Sequence, residues 1–304
     1  MGLVITRAGA IVAVTTLFVG CSVKRYAINT LGDMLASGDS VFVTDDDPVL
    51  IGEALPFSLK LLESLLAEEP EHRGLLLAAG RGYLLYTYAF VHIPAEKASL
   101  DDIERARTLR LRARGLYLRA HAYALRALET DYPGIGGRLA QDPNEAVLMV
   151  ARGSDEDVAA LYWTAAALGL AVSVSRNEAA LLARLPEVEA LLDHALELND
   201  AWNGGALHEF SITLAASRST TVDAAVLQDH YDRALQLSNG NRAGLHTAFA
   251  EAIAVPAQDR SRFVDLLERA LAVDVDAEPN ERLLNLIAQE RAQWLLGRVD
   301  ELFL

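Results

Sequence analysis

The chain has 304 residues, 52% of them hydrophobic, and its 9 prolines are few beside the many Ala and Leu. Ala and Leu lead the helix-propensity ranking, and alternating β-branched runs are scarce after residue 45, so we expect an all-α protein. With 42 Asp and Glu against 27 Lys and Arg, the formal net charge is −15. A surface this acidic repels phosphate backbones, which argues against nucleic acid as a partner.

The first 23 residues have the character of an export signal. They carry one charged side chain, Arg7, followed by an uncharged, apolar stretch from Ala8 to Val23. A membrane-spanning helix needs about 20 apolar residues, and this stretch has sixteen, which is typical of a signal peptide. It ends in LFVGC at 17–21. Leu-x-x-Gly-Cys resembles the lipobox of bacterial lipoproteins, in which the Cys becomes the first mature residue and carries a diacylglycerol.

Cys21 is the one cysteine of the chain, so neither an intramolecular disulfide nor a Cys-rich metal site is expected. We predict that Cys21 is lipidated. Two fatty chains make a stable membrane anchor where one would not. The usual lipobox has Leu three residues before the Cys, where this chain has Phe18. An uncleaved signal anchor or a small buried thiol is the alternative interpretation.

We predict three segments of the chain and, from the export signal, its location in the cell. Residues 1–20 form the signal peptide, residues 21–47 the lipidated Cys with a first helix and linker, and residues 48–304 a helical-repeat domain. The anchored protein is expected in the periplasm. Ser22, rather than Asp, follows the Cys, which favours the outer membrane over the inner membrane.

Apolar spacing predicts helices almost throughout the remaining chain. Pro48 suits a helix start, and residues 48–70 form a helix that Pro56 should kink or divide in two. Residues 73–92 are apolar on nearly every side, so this helix belongs inside the core. GIGG at 134–137 marks a loop. Further helices are predicted at roughly 99–133, 158–173, 178–198, 201–217, 222–237, 240–254, 258–273 and 279–303.

Four of the predicted helices end alike. The endings are ALETD from Ala127, ALELN from Ala195, ALQLS from Ala234 and ALAVD from Ala270, at intervals of 68, 39 and 36 residues. A period of about 34 residues is typical of tetratricopeptide repeats, although their regular landmarks are missing here. We predict degenerate repeats, stacked helix hairpins that form a compact superhelix with a central cleft or pore. The alternative is an ordinary helical bundle.

Catalytic motifs are absent from the sequence. It contains no His-Glu-x-x-His, no Gly-x-Ser-x-Gly and no Gly-rich phosphate loop. The seven histidines are scattered, and no two of them are four residues apart. We therefore expect no catalytic residue, no cofactor and no metal site. An enzyme would need a constellation that sequence motifs do not reveal.

Arginines crowd the helix predicted at 99–133. A solvated face with intrahelical ion pairs would explain them, and the sharper hypothesis is a carboxylate contact or an interface with an acidic partner. The seven are Arg105, Arg107, Arg110, Arg112, Arg114, Arg119 and Arg126.

Aromatic side chains and one further arginine are the candidates for a ligand site. The aromatics serve either as core or as the wall of an apolar ligand channel. Arg81 lies in an apolar helix, where a buried charge needs a partner from the protein or from a ligand. The candidate ligand-binding residues are Arg81, Tyr83, Tyr86, Tyr117, Tyr162, Trp163, Trp202 and His208.

Several stretches together resemble one family. After the lipobox, these are RARGLYLRAHAYALRAL, LYWTAAALGLAVS, NGGALHEF, RAGLHTAFAEAIAVPAQDRSRFVDLLERAL and NERLLNLIAQERAQWLL. In their order and spacing they resemble TatT, the periplasmic T-component associated with tripartite ATP-independent periplasmic (TRAP) transporters. The resemblance implies a lipid-anchored, all-helical homotrimer. It also implies that each protomer has a pore or cleft for a partly apolar small ligand and partners the periplasmic solute-binding protein of the transporter.

Under this resemblance the function is passive. The protein would dock the solute-binding protein so that their cavities align and a ligand passes without entering bulk solvent. Two other functions stay open at this point. A repeat lipoprotein could be a scaffold for outer-membrane protein or pilus assembly, and a cell-wall hydrolase would need a pair of carboxylates in a cleft.

Overall fold

The computed structural model of the chain describes residues 41–217 and 223–303, so the predicted signal peptide and Cys21 lie outside the described residues. Within those ranges every regular element is helical, which confirms the all-α prediction. In the same ranges, no helix combines the length and the apolar character that crossing a membrane requires.

The elements are, in chain order, α1 (Val41–Thr44), α2 (Pro48–Glu68), α3 (Arg73–Thr87), a first π-helical turn (Tyr88–His92), α4 (Ile93–Ala98), α5 (Ile103–Asp131), α6 (Ile135–Leu139), α7 (Pro143–Val147), α8 (Asp155–Ser173), α9 (Ala179–Leu182), α10 (Leu185–Asn199), a first 3₁₀ turn (Trp202–Gly205), α11 (Ala206–Ser217), α12 (Ala224–Leu237), α13 (Ala243–Phe249), a second π-helical turn (Ala250–Ala254), α14 (Arg260–Ala272), a second 3₁₀ turn (Pro279–Glu281), α15 (Arg282–Leu296) and α16 (Val299–Leu302).

One local prediction is narrowed and another needs correction. Pro56 does not divide α2, which runs unbroken from Pro48 to Glu68. Pro56 lies on the exposed face of the helix, where the carbonyl that it leaves without a donor can be solvated. The GIGG stretch is a loop only at Gly134, because α6 begins at Ile135, whose side chain is fully buried.

Helix starts follow the capping rules. The Asp47 carboxylate accepts from the backbone N–H groups of Val49 and Leu50 at 3.0 Å each, ahead of Pro48. The side chain of Ser154 caps α8 by accepting from the N–H of Asp157. Such side chains satisfy donors that have no partner within the helix.

The repeated endings are buried within the stack of helices. Ala127, Ala195, Ala234 and Ala270 are all fully buried near the C-terminal ends of α5, α10, α12 and α14. Each long helix packs on its successor, α2 on α3, α3 on α5, α5 on α8, α8 on α10, α11 on α12, and α13 on α14. Small side chains at the contacts let the hairpins stack, as predicted for degenerate repeats.

The last long helix returns to the first ones. α15 packs against α1 and α2 as well as against α13 and α14. An apolar cluster of Ile51, Leu55, Ile93, Leu283 and Ile287 joins the two ends of the described chain. The Arg282 guanidinium also donates to the carbonyl of Thr44 at 2.9 Å. The stack therefore closes around a central space.

Two glycines with positive φ test the close packing. Gly205 has φ +89° and a Cβ there would lie 2.9 Å from Cα of Ala234, whereas Gly134 has φ +83° and open space around it. We expect Gly134→Ala to cost about 1 kcal/mol from the left-handed backbone alone. Gly205→Ala should cost a further 1–3 kcal/mol, roughly, from overpacking. Urea denaturation of both variants measures this difference, and equal losses would contradict it.

Candidate functional site

The central space is a cavity of about 520 Å³. Side chains from α3, α4, α8, α11, α13 and α15 line it, together with both π-helical turns. Its walls combine large apolar groups such as Leu84, Phe210 and Trp294 with two clusters of charged side chains. This mixture of apolar walls and a few polar groups is typical of small-molecule sites.

Arg242 is at the centre of the first charged cluster. Its Nε donates to Glu209 at 2.8 Å, and its Nη1 donates to Glu281 at 2.9 Å and to the carbonyl of Asn203 at 3.0 Å. The Arg242 side chain is 10% exposed and that of Glu281 is 13% exposed. Burial raises the pKa of Glu281 above its ordinary value. The positive charge of Arg242 opposes this rise, and the negative charge of Glu209 adds to it.

Arg291 is at the centre of the second charged cluster. It donates from Nε and Nη2 to the two oxygens of Glu251, at 3.1 and 2.9 Å, and from Nη1 to Glu96. Burial alone would raise the pKa of Glu96, but Arg291 and His92 outweigh burial, so that the pKa lies below its ordinary value. The fork of the guanidinium suits two carboxylates at once.

Aromatic rings form one wall of the cavity. Tyr162 contacts Trp163 and Trp202, with ring centroids 4.7 and 5.0 Å apart, and Phe210 at 5.9 Å. Tyr88 lines the cavity as well, and burial raises the pKa of its hydroxyl to about 12. Most of the surface of this wall is therefore apolar, and the neutral tyrosine hydroxyl groups on it can form hydrogen bonds.

A second cavity of about 380 Å³ adjoins the first. The side chains that border both cavities are Leu85, Tyr88, Trp163, Leu284 and Ile287. The rest of its wall is mostly aliphatic and comes from α1, α2, α3, the first π-helical turn and α15. The two cavities together form the central cleft that the repeat prediction called for.

Three of the eight candidate ligand-binding residues line these cavities. Tyr162 and Trp163 border the first cavity, and Arg81 and Trp163 border the second. Trp202 borders neither cavity but contacts the ring of Tyr162.

The other four candidates have protein partners elsewhere. The Tyr83 hydroxyl donates to Glu63 at 2.7 Å, and the Tyr86 hydroxyl accepts from Arg112 at 3.2 Å. Tyr117 is fully buried with its hydroxyl 2.9 Å from His92 Nδ1, and His208 lies 2.8 Å from His230 between the ring Nδ1 atoms.

Three of the seven arginines of α5 pack on tyrosines. The guanidinium carbons of Arg112, Arg119 and Arg126 lie 5.9, 5.3 and 5.7 Å from the ring centroids of Tyr86, Tyr83 and Tyr123 respectively. Arg114 and Arg119 form ion pairs with Glu178 and Glu63. These ion pairs join α5 to other parts of the chain, not to residues of the same helix.

Sequence reasoning did not single out the charged cavity residues. The six that form the two clusters are Glu96, Glu209, Arg242, Glu251, Glu281 and Arg291, and Arg176 and Arg298 border the cavity as well. Five of these six lie in stretches that carried the family resemblance, but no local motif joins them, because Arg291 and Glu96 are 195 residues apart. Within residues 41–217 and 223–303, no group of three or more His, Cys, Asp or Glu could hold a metal ion.

The fold and its cavities define an α-helical repeat protein that encloses a partly apolar chamber. A sequence model of the family described as "TRAP transporter T-component" matches residues 44–303. The chain belongs to this family, whose members are accessory components of TRAP transporters. It is also 32% identical over 305 aligned positions to an "Uncharacterized protein" of Treponema pallidum (strain Nichols), with 95% of this chain and 94% of that protein covered.

The two charged clusters should respond differently to loss of a carboxylate. Glu96→Gln removes a charge-assisted bond to Arg291 and should cost about 1–2 kcal/mol at neutral pH. Because the folded pKa of Glu96 is lowered, this contribution exists above its unfolded pKa and disappears as pH falls through the folded pKa. The gap to the wild type should therefore close below about pH 4.

Glu281→Gln is the matched variant in the other cluster. The folded pKa of Glu281 is raised, so its charged form is disfavoured in the fold and a neutral amide should cost little at neutral pH. Urea denaturation at several pH values tests both variants. Equal losses at neutral pH, or a Glu96→Gln gap that does not depend on pH, would contradict this assignment.

Proposed function

We propose that the protein is a lipid-anchored accessory component of a TRAP-type uptake system, which docks the periplasmic solute-binding protein and holds or passes a partly apolar small ligand. Family membership supports the accessory role in TRAP transport. The proposal that the protein holds or passes a ligand rests on the central cavity of about 520 Å³ inside the closed stack of helices.

The charge balance of the cavity supports passage of a ligand that is neither strongly bound nor excluded. The charges of Arg242 and Arg291 are each offset by two carboxylates within hydrogen-bond distance. A cation that is already paired attracts a ligand less strongly than a free one. Apolar burial against the aromatic wall then dominates, and it scales with ligand surface and needs no fixed geometry.

The location of the protein is part of the same proposal. Cys21 would carry the lipid and hold the helical domain at the periplasmic face of a membrane, the outer membrane being favoured by Ser22. A homotrimer would present three such cavities to the solute-binding protein. A native mass spectrum of the mature protein measures the number of copies directly.

Filling the central cavity should separate docking from ligand handling. Ala248 borders the cavity on α13, so Ala248→Trp should abolish any bound small molecule while the protein still associates with its cognate solute-binding protein. Ala122 is exposed on α5, and Ala122→Trp is the matched control with the same added volume. Native mass spectrometry of each protein, alone and mixed with the solute-binding protein, reports both properties.

The proposal fails in either of two ways. If the wild type does not associate with the cognate solute-binding protein, docking is refuted. If no small molecule is present in the wild type, or if Ala248→Trp retains it as well as Ala122→Trp does, the central cavity is not the ligand site.

The lipid anchor has its own test. Cys21→Ser removes the sulfur that would be acylated, so the variant should lose incorporation of labelled fatty acid and leave the membrane fraction. Fractionation of cells that express either form measures both properties. A wild type without label, or a variant that is labelled and membrane-bound to the same extent, would refute lipidation at Cys21.

A further inference from the structure

Arg81 differs from the other arginines that border the two cavities. Arg242 and Arg291 each hydrogen-bond with two carboxylates, and Arg298 pairs with Glu301 at 3.0 Å, whereas Arg176 is exposed. Arg81 is half-buried. Among the described residues it has no ion pair and no hydrogen bond, and its contact is with the ring of Trp163 at 5.9 Å.

The guanidinium of Arg81 faces open space. Arg81 borders the second cavity. Its nitrogens have no hydrogen-bond partner among the described residues, and they are not sealed off from open space. Burial lowers the pKa of Arg81, and the negative charge of Glu281 raises it only in part. Glu281 itself bonds with Arg242 at 2.9 Å. The free donors of Arg81 therefore point to a partner outside residues 41–217 and 223–303, which the structure describes.

The remainder of the second cavity is made of hydrocarbon. It contains no carboxylate, and apart from the hydroxyls of Ser58 and Tyr88 and the indole N–H of Trp163 its other side chains are apolar. Its aliphatic wall consists of Val41, Val43, Leu55, Leu59, Leu61, Leu62, Leu77, Ala78, Leu85, Ala89, Leu283, Leu284 and Ile287. An aliphatic chain lying against this wall would remove apolar surface from water, and each further methylene buried there would strengthen binding.

One unpaired cation at the side of an aliphatic cavity matches one ligand chemistry. We infer that the second cavity binds an aliphatic monocarboxylate, with its carboxylate on Arg81 and its chain along the leucines of α2, α3 and α15. A carboxylate takes two parallel bonds from a guanidinium and offsets its buried charge. An amine would repel Arg81, and an alcohol would leave the cation uncompensated.

This inference rests on the proposed function, because it names the ligand class and the place for the ligand-handling part, but it does not depend on docking. Trp163 borders both cavities, so a carboxylate on Arg81 would lie near the boundary between the second cavity and the central cavity. The second cavity would then act as an entry or holding site for the anionic end of the ligand.

The test is titration calorimetry of the purified full chain with decanoate, decanol and decylammonium, three probes that share one aliphatic chain. Decanoate should bind most tightly and decylammonium least. Arg81→Met should weaken decanoate at least about tenfold and leave decanol unchanged, because a charge-assisted pair is lost while the aliphatic contact stays. Arg112→Met is the matched control, since Arg112 also lies 5.9 Å from an aromatic ring but outside both cavities.

A second variant tests the place of the aliphatic chain without changing the charge of Arg81. Ala78 borders the second cavity, and Ala78→Phe should block decanoate and decanol alike by occupying the space of the chain. Thermal unfolding without ligand checks that the variants fold, and Arg81→Met should be at least as stable as the wild type, since it removes an unpaired buried charge.

Two results would overturn the inference. Decylammonium binding as tightly as decanoate would show that charge does not select the ligand, and unchanged decanoate binding in both Arg81→Met and Ala78→Phe would place it elsewhere. Association with the solute-binding protein is measured separately, so the two proposals can fail independently.

Discussion

The contact of Arg291 with Glu96 and Glu251 holds together three parts of the chain that are far apart in sequence. Arg291 comes from α15, Glu96 from α4 and Glu251 from the second π-helical turn. This buried cation thus joins the last long helix to the early part of the stack. Because both carboxylates border the central cavity, the interaction that closes the stack also defines the polarity of the space inside. The same contact therefore closes the stack of helices and forms part of the wall of the central cavity.

The chamber exists because helices of different character meet around it. α8 is apolar on nearly all sides and is buried between α5 and α10, whereas α12 and α14 are amphipathic and cover the outside. Small residues bring the helices together where packing is tight, as Gly80 does against the backbone of Ala120. Large aromatic side chains keep them apart around the cavity, and the two effects together leave a hollow in a close-packed protein.

Charge has different roles in the two cavities. In the central cavity Arg242 and Arg291 are each compensated by two protein carboxylates, so these clusters contribute fixed dipoles and little net attraction. In the second cavity a lone guanidinium lies among aliphatic groups. A ligand with an anionic end and an apolar body would be held at the second cavity and released into the first. This order suits a protein whose family serves transport and does not drive it.

The sequence by itself determined the helical class, the helix boundaries near caps and the buried alanines of the repeats, because these depend on local propensity and on contacts close along the chain. It also pointed to Arg81, Tyr162 and Trp163, which do border the cavities. Only the tertiary structure decided that Tyr117 and His208 have protein partners and that Arg291 meets Glu96 across 195 residues. Pairings of that kind depend on how the stack closes, and closure is a property of all the helices together, which no local pattern encodes.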